Sequence, residues 1–113
     1  MAKGEDQPQR LVRFSHAATD DLAEIHRYTT HFWGERQADR YVAFLYDAIE
    51  SIAQDPRPGT PIEEIPGAFV LLVRWPKSRQ GHRIVYEVFD THLGVLRIVH
   101  SARDLLPVLE ESE

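Results

Sequence analysis

At 113 residues, with 42% hydrophobic and 27% charged side chains, the chain has the length of one domain and an ordinary globular composition, which excludes collagen-like or membrane character and wholesale disorder. It has no cysteine, which removes disulfides, thiolate nucleophiles and cysteine-based metal sites together. A net charge of -5 argues against a duplex-DNA binder of the usual kind, whose affinity comes from cations neutralising phosphates.

The opening MAKGEDQPQR has neither periodicity nor an apolar anchor, so residues 1–10 read as a flexible N-terminal extension, and nothing there resembles a secretory leader. No apolar run is long enough to span a bilayer, and the expected location is cytoplasmic, away from membranes. Leu11–Phe14 predicts a short strand, and Ser15 is placed to cap a helix running from about His16 to Trp33. Ala18, Leu22, Ile25, Thr29 and Phe32 recur at helical spacing, Asp20, Asp21 and Glu24 suit the early turns, Gly34 offers the stop, and Trp33 is expected to pack at the turn. A second helix follows at once, its apolar stripe made by Ala38, Tyr41, Val42, Leu45, Ala48, Ile49, Ile52 and Ala53. So short a link forces the two helices antiparallel, as a hairpin over about His16 to Ala53.

Asp55 to Pro61 holds three prolines and predicts a stiff connector. Phe69–Trp75 is uniformly apolar at its start and reads as a central strand, Lys77 to Gly81 as a basic loop, and His82–Phe89 and Val95–His100 as a hairpin of strands about the turn at 90–94. Leu105 to Pro107 suggests a docked turn before an acidic tail over 107–113. The fold class expected is therefore α+β, a short N-terminal strand and a helical hairpin packed on one face of an antiparallel sheet. On the uncovered face, alternation places Arg74, Arg83 and Arg97 among Val85, Val95 and Val99, a surface that invites a partner.

Charge is segregated along the chain. Residues 1–73 carry seven Lys or Arg against twelve Asp or Glu, whereas 74–104 carry six against three. The second segment contributes Arg74, Lys77, Arg79, Arg83, Arg97 and Arg103, with Trp75 interrupting the basic loop as either a local lid or a contact. Tyr86 shares the parity of Ile84 and Val88, and His100 that of Leu96 and Ile98, so each is either a satisfied core residue or a proton carrier. Six histidines without HxH or HExxH spacing imply no metal, and no phosphate-binding glycine motif implies a cofactor.

Taken in order, Ser15, Ala18, Asp21-Leu22, Glu24-Ile25, Tyr28, Trp33-Gly34, Ala38, Tyr41, Ile49, Ile52-Ala53, Pro56 and Gly59 form a spaced pattern that continues in the second half. There it comprises Gly81-His82-Arg83-Ile84-Val85-Tyr86, Val95-Leu96-Arg97-Ile98-Val99-His100 and Arg103-Asp104. Over residues 11–106 the chain resembles the RelE/ParE superfamily of type II toxins, its ParE branch most closely. It departs from that branch in the longer, more basic stretch Arg74 to Gly81.

The resemblance implies a toxin neutralised by a cognate antitoxin in a hetero-oligomer, the antitoxin carrying a ribbon-helix-helix DNA-binding domain. It implies a poison of DNA gyrase that acts by binding. The alternative is a RelE-like ribosome-dependent messenger RNA endonuclease, for which Arg83, Arg97, His100, Tyr86 and Lys77 are the catalytic candidates. A further alternative is a member that only binds antitoxin. Antitoxin or target contacts are expected at Arg74, Trp75, Lys77, Arg79, Arg83, Arg97 and Arg103.

Overall fold

The computed structural model describes residues 10–110. The extension expected over 1–10 lies outside the described residues except for Arg10, whose guanidinium donates to the carbonyls of Phe89 (2.9 Å) and Ala53 (3.3 Å). The elements are β1 (Leu11–Phe14), α1 (His16–Trp33), α2 (Glu35–Gln54), β2 (Thr60–Pro61), β3 (Ala68–Arg74), β4 (Gly81–Val88), β5 (His92–His100) and α3 (Leu105–Glu110).

Helix α1 begins where Ser15 turns extended, because the Ser15 hydroxyl accepts the otherwise unpaired Ala18 amide at 2.9 Å. Gly34, at φ 92° and ψ 162°, ends α1 and starts α2 by itself. Its amide donates to Thr30 and its carbonyl accepts from Ala38. An L side chain is strained in that backbone region, so glycine permits a one-residue reversal and the antiparallel hairpin follows.

The sheet order is β1-β5-β4-β3-β2. All neighbours are antiparallel except β1 and β5, which run parallel from Leu11↔His92 to Phe14↔Val95. The connector after α2 is not wholly irregular, since Thr60 and Pro61 pair with Val70 and Phe69 as the two-residue β2. The apolar run of β3 thus lies inside the sheet as expected, between β4 along its whole length and the two-residue β2 at Phe69 and Val70, while β4 holds the centre of the sheet. The reason for its apolarity is burial of both faces near Ala68 to Leu71, whereas Leu72 stands 44% exposed.

The hairpin covers one face. Leu22, Ile25, Leu45, Ile49 and Ile52 pack on Ile84, Tyr86, Leu93, Val95 and Ile98, all buried. The Tyr86 hydroxyl donates to the Pro56 carbonyl at 2.7 Å, and a Cβ on Gly59 would collide with that hydroxyl, so the connector is moulded around the tyrosine. Opposite, Val85 and Ala68 are buried with Ile62 and Leu109, and Leu96, Val70 and Leu105 pack beside them.

This second cluster corrects the expected uncovered face. Residues 105–110 form α3 and bury Val108 and Leu109, so the segment read as the start of an acidic tail is part of the packed body. Residues 111–113 lie outside the described residues. A β-bulge corrects the strand parity as well. Tyr86 pairs with Val95 and Val85 with Arg97, leaving Leu96 as an extra residue. Val95 and Ile98 thus both face the hairpin, while Val85 and Val99 are buried rather than displayed.

Candidate binding site at the sheet margin

Strand β1 stops at Phe14, so β5 has no strand neighbour on that side beyond Val95. Side chains of the following chain take the vacated ladder positions. The Ser15 hydroxyl donates to the Leu96 carbonyl at 2.7 Å, and an Asp21 carboxylate oxygen accepts the Ile98 amide at 2.8 Å. The same carboxylate receives the Arg97 guanidinium in a two-point grip, Nε to Oδ2 at 2.8 Å and Nη2 to Oδ1 at 2.9 Å. Arg97 Nη1 also donates to the Val108 carbonyl at 3.1 Å. With the Arg97 and Asp21 side chains only 11% and 14% exposed, this arginine ties α1, β5 and α3 together rather than standing on an open face with Arg83. The sequence expectation for Arg97 is corrected accordingly: it keeps the face it shares with Val85 and Val99, but β1 ends short of it, and Asp21 of α1 and the Val108 carbonyl of α3 close over it.

Above this edge lies a cavity of about 750 Å³ between α1, α2, the β3–β4 loop and β5. Ile25, Tyr28 and Trp33 line it from α1, Tyr41 from α2, Trp75, Ser78 and Gln80 from the loop, and His82 and His100 from the strands. Tyr41 Oη and His82 Nδ1 lie 2.7 Å apart in a hydrogen bond. Burial pushes the Tyr41 phenol up to about 12. Burial first, and then the neighbouring His100, pushes His82 down to about 4, against a small opposing pull from Asp21. At neutral pH the pair is therefore an uncharged phenol against an uncharged imidazole. The His82 and His100 rings meet edge to face at 5.2 Å, and His100 Nδ1 accepts the Ala102 amide at 3.0 Å, leaving only Nε2 to carry the neutral ring's proton.

Of the sequence candidates, Trp75, Arg97, His100 and Arg103 line this cavity. Trp75 packs on Tyr41 and Phe44, with ring centroids 5.7 and 5.2 Å away. Arg83 lies on the other sheet face and donates to the Arg103 carbonyl at 2.9 Å, and Arg74 shares that face. Lys77 and Arg79 occupy the exposed loop, where Lys77 has φ 68°. Tyr86 is fully buried in the core and no part of the cavity. Trp33, expected to pack at the hairpin turn, is instead 73% exposed at the cavity wall.

Sequence reasoning passed over Tyr41, His82, Tyr28 and the strut role of Asp21. Tyr41 sits within an apolar stripe and His82 in an alternating strand, and no local signal joins two residues 41 positions apart. Among the described residues no cluster of three His, Asp or Glu could hold a metal ion, and no helix is long and apolar enough to cross a membrane.

The family model for the ParE toxin of the type II toxin–antitoxin system, parDE, matches residues 12–105. This chain belongs to the ParE toxin family. The toxin is 33% identical over 92 residues to Toxin ParE1 of Mycobacterium tuberculosis, across 80% of this chain and 89% of that protein. It is 28% identical over 90 residues to Toxin ParE1 of Caulobacter vibrioides, across 80% and 88%. Its fold is shared with a chromosomal ParDE system from P. aeruginosa, at TM-score 0.64 and 22% identity over 80% of this chain and 95% of that one. It is shared also with free E. coli RelE, at TM-score 0.55 and 14% identity over 80% and 82%. The expected superfamily and α+β fold class both hold.

Proposed function

We propose that this toxin acts by binding a protein target, DNA gyrase, rather than by cutting RNA, and that a cognate antitoxin with a ribbon-helix-helix domain holds it inactive in a cytoplasmic hetero-oligomer. RNA cleavage would need a base, an acid and a cation around a single phosphate. The observation that carries the proposal is that the candidates for those roles are dispersed or engaged. Tyr86 is sealed in the core with its hydroxyl on Pro56, four positions from His82 and so about 13 Å along the strand from the His82–His100 pair. The Arg97 charge is matched by Asp21 in a poorly exposed pair, and His82 at neutral pH is the uncharged imidazole rather than the imidazolium that a general acid requires. A net charge of -5 also disfavours a polyanionic substrate, whereas a protein target imposes no such demand.

The support for an antitoxin is family membership, together with the ParDE system and the RelBE2 toxin–antitoxin complex of Mycobacterium tuberculosis among the fold's neighbours. The test is induction of this chain alone in bacteria, followed by purified gyrase assays. Growth arrest with DNA-damage signalling, intact messenger RNA and trapped gyrase–DNA cleavage complexes is the expected result. Ribosome-stimulated cleavage of messenger RNA would overturn the proposal, and so would unimpaired growth.

A further inference from the structure

We infer that the turn joining β3 to β4 is a contact surface for the phosphate backbone of duplex DNA, gripped by Arg74, Lys77 and Arg79. The inference rests on the gyrase reading above and extends it, since the toxin then touches the DNA that its protein target holds as well as the target itself.

Three observations support it. The first is unmatched charge. No Asp or Glu occurs between Glu64 and Glu87, whereas Arg74, Lys77 and Arg79 fall within six residues. All three are exposed, and none of their side chains has a hydrogen bond or an ion pair among the described residues. Five other arginines are engaged by contrast: Arg27 with Glu24, Arg57 with Asp55, Arg97 with Asp21, and Arg10 and Arg83 with main-chain carbonyls.

The second is a strained backbone at the apex. The Ser78 amide donates to the Trp75 carbonyl at 2.9 Å, closing a four-residue turn with Pro76 second and Lys77 third. Lys77 has φ 68°, in the left-handed region that turns of this pattern reserve for glycine or asparagine. Pro76 fixes its own φ, and the Ser78 hydroxyl donates to the Gln80 carbonyl at 2.9 Å, so the apex is preorganised and its cations are presented at little ordering cost. A long cation held at a glycine position disfavours folding, which points to contact as its role.

The third is the kind of surface. Trp75, the one large apolar side chain of the turn, is half-buried on Tyr41 and Phe44, which leaves Pro76, Lys77, Ser78, Arg79 and Gln80 as the exposed residues. A protein interface calls for an apolar centre that this surface lacks, whereas a phosphodiester backbone needs only spaced cations. The shallow hollow beside Trp75 and Pro76 adds Arg40 from α2 and one acid, Asp47, so cations still prevail there. Three or so phosphate contacts fall short of the roughly 6–10 of a free DNA binder. On a chain of net charge -5 they act only on DNA that the target presents.

The experiment measures toxin binding to purified gyrase, alone and loaded with a fluorescein-labelled duplex, between about 50 and 200 mM salt. Wild type is compared with the triple variant Arg74→Gln, Lys77→Gln and Arg79→Gln, and with Lys77→Gly. Arg13→Gln, exposed on β1 at the opposite edge of the sheet, is the control. Duplex should strengthen wild-type binding by at least about tenfold at the lower salt, and three phosphate contacts should make that gain fall by about fortyfold across the salt range. The triple variant should lose the gain and its salt dependence while keeping its affinity for gyrase alone within about twofold, and the control should match wild type. Lys77→Gly should lose about threefold of the gain yet unfold at or above the wild-type temperature, a combination that a merely structural lysine would not give. Equal binding of the triple variant and wild type to duplex-loaded gyrase would overturn the inference and leave the gyrase reading intact. An equal loss with and without duplex would assign the cations to an acidic protein surface and overturn it as well. No binding of wild type to gyrase in either state would sink both readings, and turn-dependent binding to a single-stranded RNA in its place would give the cations to RNA.

Discussion

Removal of the Asp21 carboxylate is the sharpest probe of how the sheet margin is built. In Asp21→Ala, Arg97 loses a two-point ion pair with contacts of 2.8 and 2.9 Å, and the Ile98 amide loses its acceptor at 2.8 Å. Both partners are about nine-tenths covered, so solvent screens the pair far less than it screens an exposed one. Breaking one side of such a pair costs about 3–5 kcal/mol, against about 0–1 kcal/mol for a surface pair. For a domain of this size that is a fall in Tm of roughly 12–24 °C at the lower figure, and a large share of a total stability of about 5–15 kcal/mol. Urea and thermal unfolding of Asp21→Ala, Arg97→Met and the double variant measure the coupling directly. The cost of Asp21→Ala should shrink by at least about 2 kcal/mol when Arg97 is already methionine, because no buried cation is then stranded. A loss below about 1 kcal/mol in Asp21→Ala, or additive effects in the double variant, would refute the assignment of Arg97 as a structural tie.

The His82 imidazole supplies a pH dependence whose sign is determined. Its pKa falls from 6.5 to about 4 on folding, so the unfolded chain binds the extra proton and stability is lost as pH drops from about 6.5 towards 4. Roughly 3 kcal/mol should disappear across that window, and a His82→Gln variant should show a flatter stability curve by urea denaturation at a series of pH values. Gly59→Ala should destabilise the wild type by more than about 1 kcal/mol, since the new methyl meets the Tyr86 hydroxyl. In a Tyr86→Phe background, itself about 1–2 kcal/mol less stable through loss of the bond to Pro56, the same substitution should cost less; equal costs in the two backgrounds would show that the connector adjusts elsewhere.

Periodicity alone was enough to specify the two helices, the break at Gly34 and the three later strands, because amphipathic spacing and backbone permissiveness are local properties. Family membership was legible for the same reason, carried by core and turn residues in order. What the local pattern could not encode is which residues meet. One extra residue, Leu96, puts Val95 on the same face as Ile98 and Leu96 on the other, and a bulge leaves no mark in hydropathy. With it, Val95 enters the core, while Arg97, still opposite Val85, meets Asp21 from 76 residues earlier in the chain. Likewise, Tyr41 and His82 each look like core residues of separate elements, and only docking of α2 on β4 pairs them beside a cavity. Tertiary contact decided the candidate site, since hydrogen bonds and ion pairs across the fold depend on distances that short-range spacing does not set.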